Sequence, residues 1–323
     1  MIFFVRKFSE ITAQDIASAG GKGANLGEMF RHDIPVPDGF VVLASGFREF
    51  LRNTGLGHRL ASLLEEVNGD DVDALNNCSQ EMTRLILEGN IPDEIRRPVY
   101  DYFDWLATPL IAVRSSATAE DGADSAWAGQ LDTYLGTTRD KLILNMKKCW
   151  ASLFTPRALA YRFQKKLIES EIAVAVVVQK MVASEVAGVA FSVHPVTQDP
   201  DQMIIEAGFG LGEAVVSGTI TPDSYIVRKS DLALLETYPS EQEKGFFLNE
   251  KGGSDWRDIP PGQTGKAKLS HDEIIGLAGL IIRIESFFGF PCDIEWARKG
   301  KNWYILQCRP ITTLKHKRLT DST

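Results

Sequence analysis

From about residue 45 to residue 102, apolar and charged positions recur at three- and four-residue spacing, which predicts a run of amphipathic helices. The same period predicts helices over 142–166, broken near Pro156, and one long helix over 269–288. Ser270 is that helix's expected N-cap, with Glu273 three residues on in the spelling of a capping box. Strands read differently. Residues 39–43 and 110–114 are short apolar runs, and 172–178 (IAVAVVV) is continuous and β-branched, as a central strand covered on both faces should be. After Met181 the text changes to short strands and glycine turns, with strands expected over 186–191, 203–206 and 224–227. Residues 239–268 are polar and rich in glycine and proline, so they read as a surface loop. Residues 292–297 and 303–308 read as a hairpin around RKGKN. The change of style near residue 180 predicts an N-terminal lobe over 1–180, a C-terminal lobe over 181–314, and a tail or linker stub over 315–323.

Composition narrows the function classes. The chain has 323 residues, more than one hydrophobic core usually serves, so two lobes are expected. Hydrophobic residues at 44% and charged residues at 24% describe an ordinary globular protein. A net charge of -8 argues against a nucleic-acid partner, which wants a basic face, yet a few focused cations can still bind an anion. MIFFVRKF is too short an apolar run for a signal peptide, and no eighteen apolar residues run together, so no membrane is expected and a cytoplasmic location is. The 4 cysteines form no CxxC pair and the 5 histidines no HExxH, so neither zinc nor a disulfide framework is expected.

The closing hairpin carries the first chemical signal. Pairing Ala297 with Trp303 across the loop sets Glu295 against Ile305, Asp293 against Gln307 and Cys292 against Cys308. Alternate residues of a strand share a face. Asp293, Glu295, Gln307 and Arg309 then project together, while Ile294, Trp296, Tyr304 and Leu306 fill the other side. Carboxylates suit a hard cation such as Mg²⁺, and a guanidinium grips phosphate in a fork. A solvated face with an ordinary salt bridge is the competing reading. A one-residue slip would scatter the group.

Three other stretches are candidates. Gly20-Gly21-Lys22-Gly23-Ala24-Asn25 offers backbone amides and one cation to a phosphate, but it fails the P-loop spelling and is equally well a glycine turn. Gly208-Phe209-Gly210-Leu211-Gly212-Glu213 places its third glycine one residue early for a dinucleotide fingerprint; a phosphate loop and a bent turn are both open. In AVRSSATAEDGADSAWAGQLDTY (112–134), Arg114 leaves a buried strand where an anion could meet it, and Ala126, Ala128 and Gly129 would let backbone approach a ligand. Thr118 to Asp121 could equally cap a helix. His194 reads as a satisfied loop histidine.

Taken in order, GGKGANLGEM, VRSSATAEDGADSAWAGQLDTYL, VVVQKMV, AGVAFSVHP, GFGLGEAVVSG, TPDSY, DIEWA and YILQCRP resemble the ATP-binding domain of phosphoenolpyruvate synthase (pyruvate, water dikinase), shared with pyruvate phosphate dikinase and rifampin phosphotransferase. The resemblance runs over residues 15–312. It implies an α+β, ATP-grasp fold whose two lobes clamp ATP. It places Lys22 and Arg114 on the phosphates with Gly129 and Thr133 lining the pocket, Gln179, Lys180, Met181 and Val182 beside adenine, and Glu185 near the ribose. Glu295 and Gln307 would hold Mg²⁺, and Arg309 would meet the transferring phosphoryl group, so that Arg114, Gln307 and Arg309 carry catalysis. Ala126-Trp127 departs from the usual serine before an aromatic.

The implied reaction passes the terminal phosphates of ATP to a histidine on a swivelling domain, releasing AMP and phosphate, on the way from pyruvate to phosphoenolpyruvate. Positioning and charge neutralisation carry such chemistry. The chain contains neither that histidine domain nor an acceptor barrel, so its expected partner is a phosphohistidine-domain protein or missing C-terminal domains. The ATP domain of a rifampin phosphotransferase and a non-catalytic ATP sensor are the alternatives.

Overall fold

The structure is a computed structural model and describes residues 3–67, 69, 71–118, 132–165, 173–312 and 314. Its contacts divide into two compact units, Met1–Met181 with Asn249–Ser254, and Val182–Leu248 with Asp255–Thr323.

The first unit is built on a five-stranded antiparallel sheet. Its strands are β1 (Val5–Lys7), β2 (Gly39–Val42), β3 (Ile111–Ala117), β4 (Thr133–Thr137) and β5 (Val174–Lys180), in the spatial order β1-β2-β5-β3-β4. The β-branched run occupies β5, the central strand, and Val174 to Val178 are all buried. Among the described residues seven α-helices accompany it: α1 (Ile16–Arg31), α2 (Ala44–Thr54), α3 (Leu56–Glu65), α4 (Val72–Glu88), α5 (Asp93–Trp105), α6 (Leu142–Ala151) and α7 (Pro156–Gln164). α1 packs on β3 and β5, while α2 and α6 pack on β5 and bury Phe47, Phe50 and Trp150. The Trp150 ring lies 5.1 Å from that of Phe50 and 5.4 Å from that of Phe47. Burying three such rings supplies several kcal/mol of apolar transfer free energy.

The second unit holds a six-stranded antiparallel sheet in the order β13-β12-β6-β7-β8-β9. These are β6 (Val186–Phe191), β7 (Gln202–Phe209), β8 (Asp223–Arg228), β9 (Leu234–Tyr238), β12 (Cys292–Lys299) and β13 (Asn302–Pro310). A short helix, α8 (Glu213–Val216), follows β7, and the long α9 (His271–Phe288) packs on β7, β8 and β12. The expected capping box is formed: Ser270 Oγ accepts from Glu273 N, and the Glu273 carboxylate accepts from Ser270 N at 2.8 Å.

Two expectations are corrected here. Residues 239–268 are not a plain surface loop, for they contain a hairpin of β10 (Lys244–Leu248) and β11 (Ser254–Asp258). They also bury Gln242 and Lys268. Gln242 bonds Phe209 in both directions, at 2.8 and 3.0 Å, and Lys268 Nζ pairs with Asp223 Oδ1 at 2.8 Å with both side chains at 0% exposure. Polar composition hid these anchors because their partners lie on distant strands. The register of the closing hairpin is the second correction, described below.

Candidate functional site

In the first unit, the chemistry gathers where α1 meets β3. Arg114 lies directly opposite Thr133 on β4 and Val177 on β5. Arg114 and Ser116 share one face of β3, and Ser116 bonds into α1, so this is the face that carries α1. Arg114 as a whole is 7% exposed, whereas Thr133 is exposed at the strand edge. Lys22 sits two residues past a break in α1 at Gly20, and its Nζ donates to the Ser115 carbonyl at 2.8 Å. Ser115 is anchored in turn, its N and Oγ both donating to the Asp132 carbonyl, at 3.1 and 2.8 Å.

Gln179 lies on β5 opposite Ala112 and Gly39. It is 2% exposed, and its Nε2 has no hydrogen-bond partner among the described residues. A buried amide donor without a partner costs about 1–3 kcal/mol, so Gln179 Nε2 calls for an acceptor that the described residues do not supply. Lys180 and Met181 spend their backbone N–H groups on Asp38 and Leu110. Gly129 lies outside the described residues, as do Thr118's acidic followers and Trp127.

The second unit presents the hairpin. Its turn is two residues long, Lys299 pairing with Asn302, and the register runs through Ala297–Tyr304 and Trp296–Ile305. Continued unchanged, that register would set Leu306 against Glu295 and turn Gln307 toward the face of Trp296. A bulge at Leu306 prevents this, and beyond it Glu295 opposes Gln307 and Asp293 opposes Arg309. The bulge therefore flips the second half of β13 and returns the amide and the guanidinium to the carboxylate face. The expected pairs (Glu295 with Ile305, Asp293 with Gln307, Cys292 with Cys308) are not formed. The expected face is formed, because a shorter turn and a bulge shift the register twice. Tyr304 and Leu306 also depart from expectation: they pack with Val182, Ala187 and Ala297 rather than beside Trp296. Cys292 opposes Pro310, and all four cysteines are free thiols.

Arg309 Nε donates to Asp293 Oδ2 at 2.8 Å, and Nη2 forms an ion pair with the same oxygen, also at 2.8 Å. Even so, burial holds the Asp293 carboxyl above the ordinary aspartate value, the Arg309 charge opposing the shift and Glu295 adding to it. Across Val189 in the sheet lies Glu206 on β7. Its carboxyl is likewise raised, by burial first and the Asp293 charge second. Three carboxylates, the buried amide of Gln307 and one guanidinium thus share a sheet face of the second unit. Glu206 was missed from sequence because its only signal was alternation on a strand with no motif around it. Among the described residues no three His, Cys, Asp or Glu side chains form a complete metal cage.

Other candidates resolve as structure. Gly210 adopts φ +93, and the N–H groups of Gly210 and Leu211 donate to the Glu185 and Phe246 carbonyls at 2.9 and 2.7 Å. That glycine stretch is a bent turn occupied by its own chain. His194 Nδ1 accepts from Val196 N and Thr197 N, both at 3.2 Å, so it holds its loop. Glu185 Oε2 accepts from Gly300 N at 3.3 Å, placing that carboxylate beside the hairpin turn.

Comparison with known proteins gives this arrangement its context. A "Probable phosphoenolpyruvate synthase" of Methanocaldococcus jannaschii is 41% identical over 319 residues, 97% of this chain and 27% of that protein. One of Archaeoglobus fulgidus is 44% identical over 317 residues, 96% of this chain and 42% of its own. A "Rifampicin phosphotransferase" of Bacillus cereus is 36% identical over 317 residues, 97% of this chain and 36% of the relative. This chain thus spans less than half the length of each. Residues 16–323 match the family described as "Pyruvate phosphate dikinase, AMP/ATP-binding domain". With that match over nearly the whole chain and a mixed helix-and-sheet frame, the chain belongs to that family and is an ATP-grasp-like, ATP-binding domain.

Proposed function

We propose that this chain is the ATP-binding phosphotransferase part of a phosphoenolpyruvate synthase-like dikinase. It would pass phosphoryl from ATP to a histidine on a separate domain, yielding AMP and phosphate, for conversion of pyruvate to phosphoenolpyruvate. The observation that carries the reading is the bulged hairpin, which sets Glu295 opposite Gln307 and Arg309 beside them.

In this reading Lys22 and Arg114 neutralise the phosphates, with Thr133 and Gly129 lining them. Gln179 supplies its buried amide to adenine, flanked by Lys180, Met181 and Val182, and Glu185 meets the ribose. Glu295 and Gln307 contribute hard oxygen ligands to Mg²⁺. That ion commonly takes only one or two protein ligands and completes its octahedron with phosphate and water, so the small donor set fits. When bound, Mg²⁺ supplies charge neutralisation. Arg309 orients the transferring group with its planar fork, for which a lysine point charge is no substitute. Among the described residues no helix is long and apolar enough to cross a membrane. Four free cysteines suit the reducing cytoplasm we assign to the protein.

The test mixes the full chain, Mg²⁺ and ATP with a histidine-bearing domain from a longer relative. AMP and a phosphorylated histidine are expected; ADP as the only nucleotide product would overturn the dikinase reading. A rifampicin acceptor is the second reading, supported by the Bacillus relative at 36% identity. Its acceptor lies outside this chain, so supplying rifampicin and the rest of such a relative distinguishes the two.

A further inference from the structure

α1 is two helical segments joined at Gly20, which adopts φ +69 and ψ 166. The second segment restarts at Gly21, so Gly20 stands in its N-cap position with Lys22 and Gly23 as second and third residues. An N-cap side chain normally accepts the N–H of the second or third residue. Glycine has none to offer, and no other residue fits, since a Cβ there would lie 2.2 Å from Ser116 Oγ and 2.4 Å from the Ser116 carbonyl.

The missing cap comes from another strand. Ser116 Oγ on β3 accepts the Gly23 N–H at 3.2 Å and donates its own proton to the Ala19 carbonyl at 3.0 Å. One buried hydroxyl, 0% exposed, thereby serves an orphaned donor after the break and an orphaned acceptor before it. Its neighbour Ser115 receives the Lys22 ammonium. Ser116 thus fixes the backbone on either side of Lys22, at Ala19 and Gly23, and the Ser115 carbonyl meets its tip.

We propose that Ser116 is a positioning residue for Lys22: it caps the helix restart from β3 and thereby fixes where Lys22 leaves the backbone. The proposal rests on the reading of Lys22 as a phosphate ligand and adds the residue that aims it. A hydroxyl is required because the site needs a donor and an acceptor in one atom.

The test uses the full chain as wild type, Ser116→Ala, Lys22→Ala and the double variant. Mg²⁺-ATP binding is measured by calorimetry and amide exchange at Gly23 by NMR. Ser116→Ala should accelerate Gly23 exchange and weaken ATP binding about tenfold in the wild-type background, yet change it less than about twofold when Lys22 is already alanine. Equal losses in both backgrounds would mean a merely structural role and overturn the proposal, as would unchanged binding or unchanged exchange. Should Ser116→Ala lose its far-UV circular dichroism, Ser116→Cys, similar in shape but a weak hydrogen-bonder, takes its place. It should also speed Gly23 exchange, and wild-type behaviour in the cysteine variant would sink the idea. Failure of the wild-type chain itself to bind ATP would instead overturn the nucleotide reading and with it the aim assigned to Lys22. The exchange result would then still decide whether Ser116 is the cap.

Discussion

Glu295 stands directly opposite Gln307 only because Leu306 is looped out of the ladder between β12 and β13. A deletion of Leu306 should remove the bulge and hand its place opposite Glu295 to Gln307, so that the Glu295–Gln307 and Asp293–Arg309 pairs survive in an unbroken ladder. Retained Mg²⁺-dependent ATP binding in calorimetry, with the circular dichroism spectrum unchanged, is the expected result, and loss of binding in a folded variant would contradict the pairing argument.

Glu295→Ala should lower phosphoryl transfer about a hundredfold or more, the usual cost of losing one electrostatic stabiliser. Glu295 is only half-buried, so the melting temperature should change little. Transfer assays with the histidine-bearing domain, run beside thermal melts, check both halves of this expectation.

Arg114→Lys keeps the charge and loses the fork. Because Arg114 is 7% exposed and its strand position is set opposite Thr133, the shorter reach of an ammonium should not compensate. Calorimetry should show ATP affinity reduced about tenfold or more, the worth of one charge-assisted hydrogen bond.

Glu206 gives a pH signature. Its folded-state value lies above the ordinary 4.5, through burial and then the Asp293 charge. The native state therefore holds that proton more tightly than the unfolded chain, a contribution present below about pH 4.5 and lost as pH rises through the raised value. Glu206→Gln, which cannot ionise, should match wild type near pH 4 and melt at a higher temperature at pH 7. Melting curves across that window measure the divergence, and a gain largest at low pH would contradict it.

The Asp223–Lys268 pair anchors residues 239–268. Asp223 also accepts from Tyr225 OH at 2.7 Å, Ser240 N at 2.8 Å and Lys268 N at 2.8 Å. Asp223→Ala leaves a buried ammonium uncompensated and should cost about 3–5 kcal/mol in urea unfolding. Adding Lys268→Met removes that charge and should recover part of the loss.

Much of the fold was legible in the order of residues. The helical period over 45–102, the capping box at Ser270 and Glu273, and the β-branched run of β5 each depend on near neighbours, and each formed as read. Resemblance across eight ordered motifs placed the family, since family membership is written in sequence itself. β9, β10 and β11 escaped because short, mostly exposed strands are specified by their partners more than by their own residues.

By itself, then, the sequence determined which residues could do the chemistry: Lys22, Arg114, Glu295, Gln307 and Arg309 are cations and oxygen ligands wherever they fall. Tertiary structure decided which of them meet. A bulge restored the face that turn length had reversed, a strand hydroxyl capped a helix that its own residues could not, and Glu206 joined the acids from another strand. The reason is one of range. Helical period and capping act over a few residues, whereas register and cross-strand hydrogen bonds are settled between segments that come together only in the folded chain.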